Sequence, residues 1–278
     1  MKLKKLKWEV VSSPQSPGDN AIGILTLNSP QDSNGLGPRM TLELDHMIDE
    51  IRRHPSVRIV IVTGAGGNFC AGQDLKQYGL EMESQPEWVK DEVRDKVRKW
   101  RTELLRNLPQ PVIAKIMGWC LGGALTVTVG CDVAIASDDA KFCLPEVNFG
   151  HFPAGETTPI LSNYLQAKHG LYYALSGKMM SAQEAERIGL VSKVVPSAEL
   201  DKEVDEFAKV LAEKSPRALK AVKEAWYLSR NASLDIGFTL SNFISERIVR
   251  EQGGRPGLEQ FVQKKLRPVS GTMKLEQE

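Results

Sequence analysis

The strongest constraint on the fold is a set of apolar runs, each ending at small residues before a helix or a turn. The runs cover residues 57–62, 111–116 and 132–136 and are rich in β-branched side chains. Continuous apolar runs of this length are typical of parallel strands that are buried on both faces and joined by helical crossovers. The sequence therefore predicts an α/β fold with buried parallel strands.

The flanking segments extend this pattern. Residues 21–27 alternate as a strand and lead into a polar loop at 28–38, and the helix that follows places Leu44, Met47, Ile48 and Ile51 on one stripe. The charged segment 81–106 predicts a solvated helix that covers a site. Residues 203–214, 216–229 and 233–249 predict helices, so we expect a core domain at 1–200 and a helical region at 201–278.

Composition excludes several classes of function. Among 278 residues, 36 Lys and Arg balance 35 Asp and Glu for a formal charge of +1, which does not favour a nucleic-acid or membrane partner. The apolar runs are too short to span a bilayer, and the basic start lacks the apolar core of a signal peptide, so we expect a cytoplasmic protein. The four cysteines have no metal-ligand spacing and predict buried thiols without metal or disulfide.

Residues 59–78 and 115–155 carry the chemistry. In each, a strand ends at small residues and a helix follows, which presents backbone N–H groups to a ligand. Two such groups can hold one oxyanion, the requirement for stabilising a thioester enolate. The TGAGG stretch also suggests a dinucleotide-binding turn, but that motif needs glycines where Asn68 and Cys70 stand. The sequence therefore favours an acyl-transfer or enolate-forming enzyme.

Four boxes in this order resemble the crotonase (enoyl-CoA hydratase/isomerase) superfamily over nearly the whole chain. They are the strand and loop at 21–38, AGQDL at 71–75, GWCLGGA at 118–124 and FCLPEVNFGHFP at 142–153. The resemblance implies a spiral of ββα repeats with a helical C-terminal trimerisation region. It also implies an acyl-CoA substrate that brings its own coenzyme A, no separate cofactor, and a homotrimer or dimer of trimers.

The same resemblance assigns site residues. The oxyanion donors would be the backbone N–H groups of Gln73 and Gly123. The predicted substrate-binding positions are Ala71, Asp74, Leu75, Lys76, Tyr78, Trp119 and Gly122, with Lys76 expected near the coenzyme A phosphates. One departure is that Asp32 and Ser33 stand in the first coenzyme A loop, where many members carry a basic residue.

Hydratases of this superfamily usually use two glutamates, and this chain keeps one. Glu146 matches the second glutamate, whereas Thr126 replaces the first, and a hydroxyl orients water but is no base near neutral pH. Glu156, with His151, is a candidate for a displaced second acid. The alternative is that Glu156 only lies in the first turn of the next helix, where the dipole favours it.

Three enzyme subfamilies and one non-enzyme class fit the resemblance to different degrees. Local motifs most resemble hydroxycinnamoyl-CoA hydratase-lyases: Trp119 before Cys120, Thr126, Glu146, Tyr78 and a GGR element at 253–255. In those enzymes a C-terminal tyrosine binds the phenol of the substrate, and the corresponding position in this chain is near Phe238 or Leu240.

The Δ3,Δ2-enoyl-CoA isomerases also rely on one glutamate at the position of Glu146. The nucleophilic aspartate of 4-chlorobenzoyl-CoA dehalogenases would fall at Ala154. A catalytically inactive binding module is the non-enzyme alternative, against which the retained Glu146 argues. The prediction is an enoyl-CoA hydratase or hydratase-lyase, with the isomerase as its alternative.

Overall fold

The computed structural model describes residues 2–11, 21–154, 156–251, 266–269 and 272–275. It divides into two compact units, Met1–Pro216 and Arg217–Glu278. The division falls after Pro216, whereas the sequence places a boundary after residue 200. A functional division into a site-bearing core and an oligomerisation region stays a prediction. The GGR element at 253–255 lies outside the described residues.

Within the described residues of the first unit, nine strands form two sheets. They are β1 (Leu6–Val11), β2 (Ala21–Leu27), β3 (Val57–Gly64), β4 (Val112–Ile116), β5 (Trp119–Leu121), β6 (Val133–Ser137), β7 (Lys141–Cys143), β8 (Met180–Ser181) and β9 (Lys193–Val195). The larger sheet has the order β1-β2-β3-β4-β6-β9 and the smaller one β5-β7-β8. Strands β2, β3, β4 and β6 confirm the four runs assigned from the sequence.

Both sheets are mixed. In the larger sheet β1 pairs antiparallel with β2 and the remaining pairs are parallel; in the smaller sheet β5 and β7 are parallel and β8 is antiparallel. Strands β4 and β6 lie in the larger sheet, and the strands that follow them, β5 and β7, lie in the smaller one. This alternation is the ββα spiral that the resemblance predicts, so the fold class is confirmed.

Helices cover the sheets and fill the connections. They are α1 (Pro38–Arg53), α2 (Glu87–Arg98), α3 (Leu105–Asn107), α4 (Ala124–Gly130), α5 (Thr157–Tyr164), α6 (Ala167–Ser176), α7 (Ala182–Arg187) and α8 (Leu200–Ala212). The predicted stripe of α1, Leu44, Met47, Ile48 and Ile51, is buried. Removing such side chains from water supplies most of the driving force for packing.

The charged segment at 81–106 departs from its prediction as a solvated helix. Helix α2 is largely exposed, but the π-helical turn Lys99–Leu104 that follows it carries Trp100 and Arg101, which are 0% and 4% exposed. The prediction is wrong for this end of the segment. Val93, Trp100 and Leu105 form a buried stripe, and Arg101 lies beside it.

The described residues of the second unit form two long helices and one hairpin. Helices α9 (Pro216–Arg230) and α10 (Leu234–Glu251) confirm the predicted helical character, and β10 (Leu266–Val269) pairs antiparallel with β11 (Thr272–Leu275). Arg247 pairs with Glu224 and joins the two helices. In the part of the chain that the structure describes, no helix is long and apolar enough to cross a membrane. A cytoplasmic location stays a prediction.

Candidate active site

A cavity of about 400 Å3 lies in the first unit, where the loops that follow β3, β5 and β7 meet. Its walls combine backbone-rich glycine segments, aromatic side chains and a few titratable groups. The lining residues are Ala71, Gln73, Leu75, Tyr78, Gly79, Arg101, Gly122, Gly123, Pro145, Glu146, Phe149, His151, Phe152, Ala154 and Thr157. A concave, mostly apolar site with few convergent polar groups is typical of a small-molecule site.

Backbone hydrogen bonds hold the two predicted oxyanion loops together. Cys70 N–H donates to the carbonyl of Trp119 at 2.9 Å, and Leu121 N–H donates to the carbonyl of Cys70 at 3.0 Å. On the outer side, Leu36 N–H donates to the carbonyl of Gly72 at 2.8 Å. These bonds fix the AGQDL box beside the glycine box through main-chain atoms alone.

Gln73 and Gly123 both line the cavity, and their backbone N–H groups have no acceptor among the described residues. Gly72 has φ +87°, and a methyl group there would overlap the carbonyl oxygen of Leu121 and lie 3.3 Å from the Gly123 nitrogen. Such close approach of two chains requires glycine. Two unpaired N–H donors that border one cavity can stabilise a developing oxyanion.

Glu146 brings a carboxylate to the same cavity. It belongs to the 3₁₀ turn Pro145–Phe149 that follows β7, and its Oε2 is buried without a hydrogen-bond partner among the described residues. Burial raises the pKa of Glu146, and a backbone hydrogen bond lowers it to a lesser extent. A methyl group on Gly122, which has φ +52°, would lie 2.8 Å from Glu146 Oε1. A carboxyl group in a cleft whose pKa is perturbed by burial is a candidate for acid–base chemistry.

Arg101 is the residue that the sequence reasoning missed. Its guanidinium lines the cavity, and its Nε and Nη2 atoms are buried with no hydrogen-bond partner in the described chain. A methyl group on Gly123 would lie 3.3 Å from both Nη atoms of Arg101. The sequence offered one signal for it: Arg101 directly follows Trp100, one of the few large apolar residues in an otherwise charged segment.

Seven of the twelve predicted site residues line the cavity: Gln73, Gly123, Glu146, Ala71, Leu75, Tyr78 and Gly122. The phenol of Tyr78 hydrogen-bonds to the Thr41 hydroxyl at 3.0 Å, and burial raises its pKa. His151, which the sequence analysis names as a possible partner of Glu156, also lines the cavity, together with Phe149 and Phe152.

The other five predicted residues are not part of the lining. Thr126 is fully buried in α4 and donates its hydroxyl hydrogen to the carbonyl of Gly123 at 2.6 Å. Glu156 precedes α5 as its N-cap residue and is half-buried. Asp74 accepts from the backbone N–H of Gln77, whereas Lys76 and Trp119 are exposed. Their proposed roles stay predictions.

Three further expectations concern charge and metals. Asp32 does not stand as an isolated negative charge in the first loop, because Lys5 Nζ lies 3.1 Å from its carboxylate. Within the described ranges, no cluster of three His, Cys, Asp or Glu residues is placed to hold a metal ion. All four cysteines are free and buried, and burial raises the pKa of the Cys70 thiol to about 12.

Comparison with known proteins accounts for this arrangement. Residues 18–269 match the model of the enoyl-CoA hydratase/isomerase family. The chain belongs to this family. It is 31% identical over 262 residues to a hydroxycinnamoyl-CoA hydratase-lyase of Pseudomonas fluorescens, covering 93% of this chain and 94% of that relative. It is also 31% identical to an (E)-benzylidenesuccinyl-CoA hydratase of Thauera aromatica, over 81% of this chain and 86% of that protein.

Solved structures agree with the family assignment. An enoyl-CoA hydratase of Bacillus anthracis superposes with a TM-score of 0.82 at 28% identity, over 97% of this chain and all of that one. One from Mycobacterium smegmatis gives 0.83 at 25% identity, over 94% of this chain and 97% of that chain. This enoyl-CoA hydratase/isomerase family member therefore has the crotonase fold that its four boxes predict.

Proposed function

We propose that this family member hydrates enoyl-CoA thioesters, with Glu146 as its acid and base. One observation carries the proposal: a carboxylate with one unpaired oxygen and two amide N–H groups without acceptors among the described residues border a single cavity. The backbone N–H groups of Gln73 and Gly123 would donate hydrogen bonds to the thioester oxygen as negative charge develops on it. The family membership and the hydratases among its relatives support an acyl-CoA substrate.

The proposed reaction conserves every proton. Glu146, ionised, removes a proton from a bound water as the water oxygen attacks C3 of the 2-enoyl thioester. The electron pair of the double bond moves to the thioester oxygen, where two N–H donors stabilise the enolate. Protonated Glu146 then delivers the proton to C2, and the enolate collapses to the 3-hydroxyacyl product. A raised pKa suits a group that must both take and return a proton.

Isomerisation is the second candidate, and the count of carboxylates favours it. Glu146 is the single carboxylate among the cavity-lining residues, and Glu156 is not part of the lining. Moving a double bond from C3 to C2 needs one base that removes a proton from C2 and returns it at C4. A hydratase-lyase would instead cleave its hydrated product to an aldehyde and acetyl-CoA.

A substrate panel separates these outcomes from one another and from an inactive binding module. The purified protein is given 2-enoyl-, 3-enoyl- and cinnamoyl-CoA, and products are identified by chromatography and thioester absorbance. We expect 3-hydroxyacyl-CoA from the 2-enoyl substrate. Glu146→Gln should lower kcat by roughly 10²–10⁴-fold, the scale of general acid–base catalysis. Wild-type turnover in that variant would refute the role of Glu146.

We also propose that the second unit mediates a homotrimer or a dimer of trimers. Large apolar side chains are exposed on its helices: Val222, Trp226 and Leu228 on α9, and Leu234, Ile236, Phe238 and Phe243 on α10. Exposed apolar surface of this extent marks an interaction site. Light scattering on the purified protein should give a molar mass of three or six times the chain mass of 30.8 kDa. A monomer mass would contradict the proposal.

A further inference from the structure

The cavity holds a buried positive charge that the proposed hydration does not use. Arg101 is 4% exposed, and its guanidinium remains charged at every physiological pH. Two of its three nitrogens are buried without a hydrogen-bond partner in the described part of the chain. A buried charge of this kind is strongly unfavourable unless it is paired. The arrangement is therefore incomplete as it stands.

Groups around Arg101 only partly compensate this charge. The Trp100 ring lies 5.3 Å from the guanidinium carbon, which gives a cation–π contact. Glu156, Tyr78 and Cys70 act on it through space, but no carboxylate of the described residues forms an ion pair with it. Burial lowers the pKa of Arg101, and these three groups oppose the shift.

Arg101 lies close to the place where the thioester carbonyl of the substrate would bind. A methyl group built on Gly123 would lie 3.3 Å from each Nη atom, so the guanidinium lies directly against the residue whose N–H is a proposed oxyanion donor. Arg101 and Glu146 are both lining residues of this cavity. A ligand group that meets Arg101 is therefore only a few bonds from the thioester carbonyl.

We propose that Arg101 binds a carboxylate on the acyl group, so the substrate is a short-chain dicarboxylic acid linked to coenzyme A through one end. A guanidinium presents parallel N–H donors that match a carboxylate in a bidentate pair. The inference rests on the proposed acyl-CoA chemistry and adds the class of acyl group. The carboxylate of the ligand would supply the partner that the folded chain lacks.

Binding of two saturated thioesters tests the inference without turnover. Glutaryl-CoA and valeryl-CoA both have five-carbon acyl chains and differ by a terminal carboxylate in place of a methyl group. Calorimetric titration of the wild-type protein should show glutaryl-CoA binding roughly 10–100-fold more tightly, the scale of a buried hydrogen bond to a charged group. Equal affinity, or tighter binding of valeryl-CoA, would overturn it.

Variants of Arg101 test whether its guanidinium causes the preference for glutaryl-CoA over valeryl-CoA. Arg101→Gln should lower the ratio of the two affinities at least tenfold, and Arg101→Lys should retain part of it because the charge remains while the planar fork is lost. Arg98→Gln is the matched control, since Arg98 is exposed on the same helical stretch and is not a lining residue. Its ratio should equal that of the wild type.

The remaining outcomes separate this inference from the proposed function. Binding of valeryl-CoA with no gain for glutaryl-CoA overturns the inference and leaves hydration standing, whereas failure of both thioesters to bind overturns both. An unchanged ratio in Arg101→Gln, with both affinities lowered equally, would give Arg101 a role at the oxyanion instead. The wild-type comparison needs no variant, so a folding defect in Arg101→Gln cannot remove the test.

Discussion

Replacing Gly122 by alanine asks whether the position of the Glu146 carboxylate sets the turnover rate. Gly122 has φ +52°, and its added methyl group would lie 2.8 Å from Glu146 Oε1. That separation is shorter than van der Waals contact, so the carboxylate must shift. Glu146 stands in a short 3₁₀ turn, and its Oε2 has no hydrogen-bond partner among the described residues. No hydrogen bond at that oxygen therefore opposes a shift of the carboxylate.

Two separate costs follow from this substitution. The left-handed backbone of a non-glycine residue costs about 1–2 kcal/mol of folding free energy. A misplacement of about 1 Å in a catalytic group can lower the rate by about 10²-fold. We therefore expect Gly122→Ala to lose about 1–2 kcal/mol of unfolding free energy and about 10²-fold in kcat/KM.

Gly67→Ala isolates the backbone cost. Gly67 has φ +82°, and no atom lies within 4 Å of an added methyl group. Urea unfolding should give both variants a similar loss of stability, and crotonyl-CoA hydration, followed by thioester absorbance, should fall in Gly122→Ala alone. Equal turnover in the two variants would refute the assignment of Glu146 as a position-sensitive catalytic group.

Three further substitutions have defined outcomes. Thr126→Val removes the hydroxyl donor to Gly123, so thermal unfolding should show a loss of about 1 kcal/mol of unfolding free energy. The ratio of hydration to isomerisation should stay unchanged. A selective fall in hydration would instead support a water-positioning role for Thr126. Glu156→Gln should keep kcat of wild-type order in steady-state assays, and a loss of about 10²-fold would make it the second acid. Glu43→Gln should cost about 3 kcal/mol at neutral pH, measured by urea unfolding against pH.

The pH dependence at Glu43 has a defined sign. Its carboxylate is fully buried, pairs with Arg39 at 2.6 Å and accepts backbone N–H bonds from Lys4, Lys5 and Leu6. Burial raises the pKa of Glu43, but Arg39 and the N–H donors outweigh it and hold the pKa below the ordinary 4.5. The stabilisation is complete above that pH and is lost as pH falls below it. The gap between wild type and Glu43→Gln should narrow accordingly.

The strands were predictable from the sequence because a buried strand needs a local run of apolar residues. Strand β3 is buried at nearly every position, and a parallel strand covered on both faces must be apolar throughout. The glycine boxes were predictable for a similar reason, since Gly72 and Gly122 adopt positive φ angles that other residues rarely adopt.

Side-chain direction on helices was harder to read. Arg101 lies in a π-helical turn, where the extra residue per turn shifts the faces that a 3.6-residue period assigns. Thr126 stands at the position of a family glutamate, yet its hydroxyl bonds back to Gly123 rather than reaching the cavity. A short side chain follows the helix backbone, and the sequence carries no signal of that choice.

The use of main-chain amides as oxyanion donors shapes what random mutagenesis of this protein would detect. At Gln73 the donor is present whatever the side chain, so a library at that codon should yield many active clones. At Gly72, one residue earlier, an added methyl group would overlap the Leu121 carbonyl, and almost none should survive. A map of tolerated substitutions would therefore mark the neighbour of the donor as essential and pass over the donor itself.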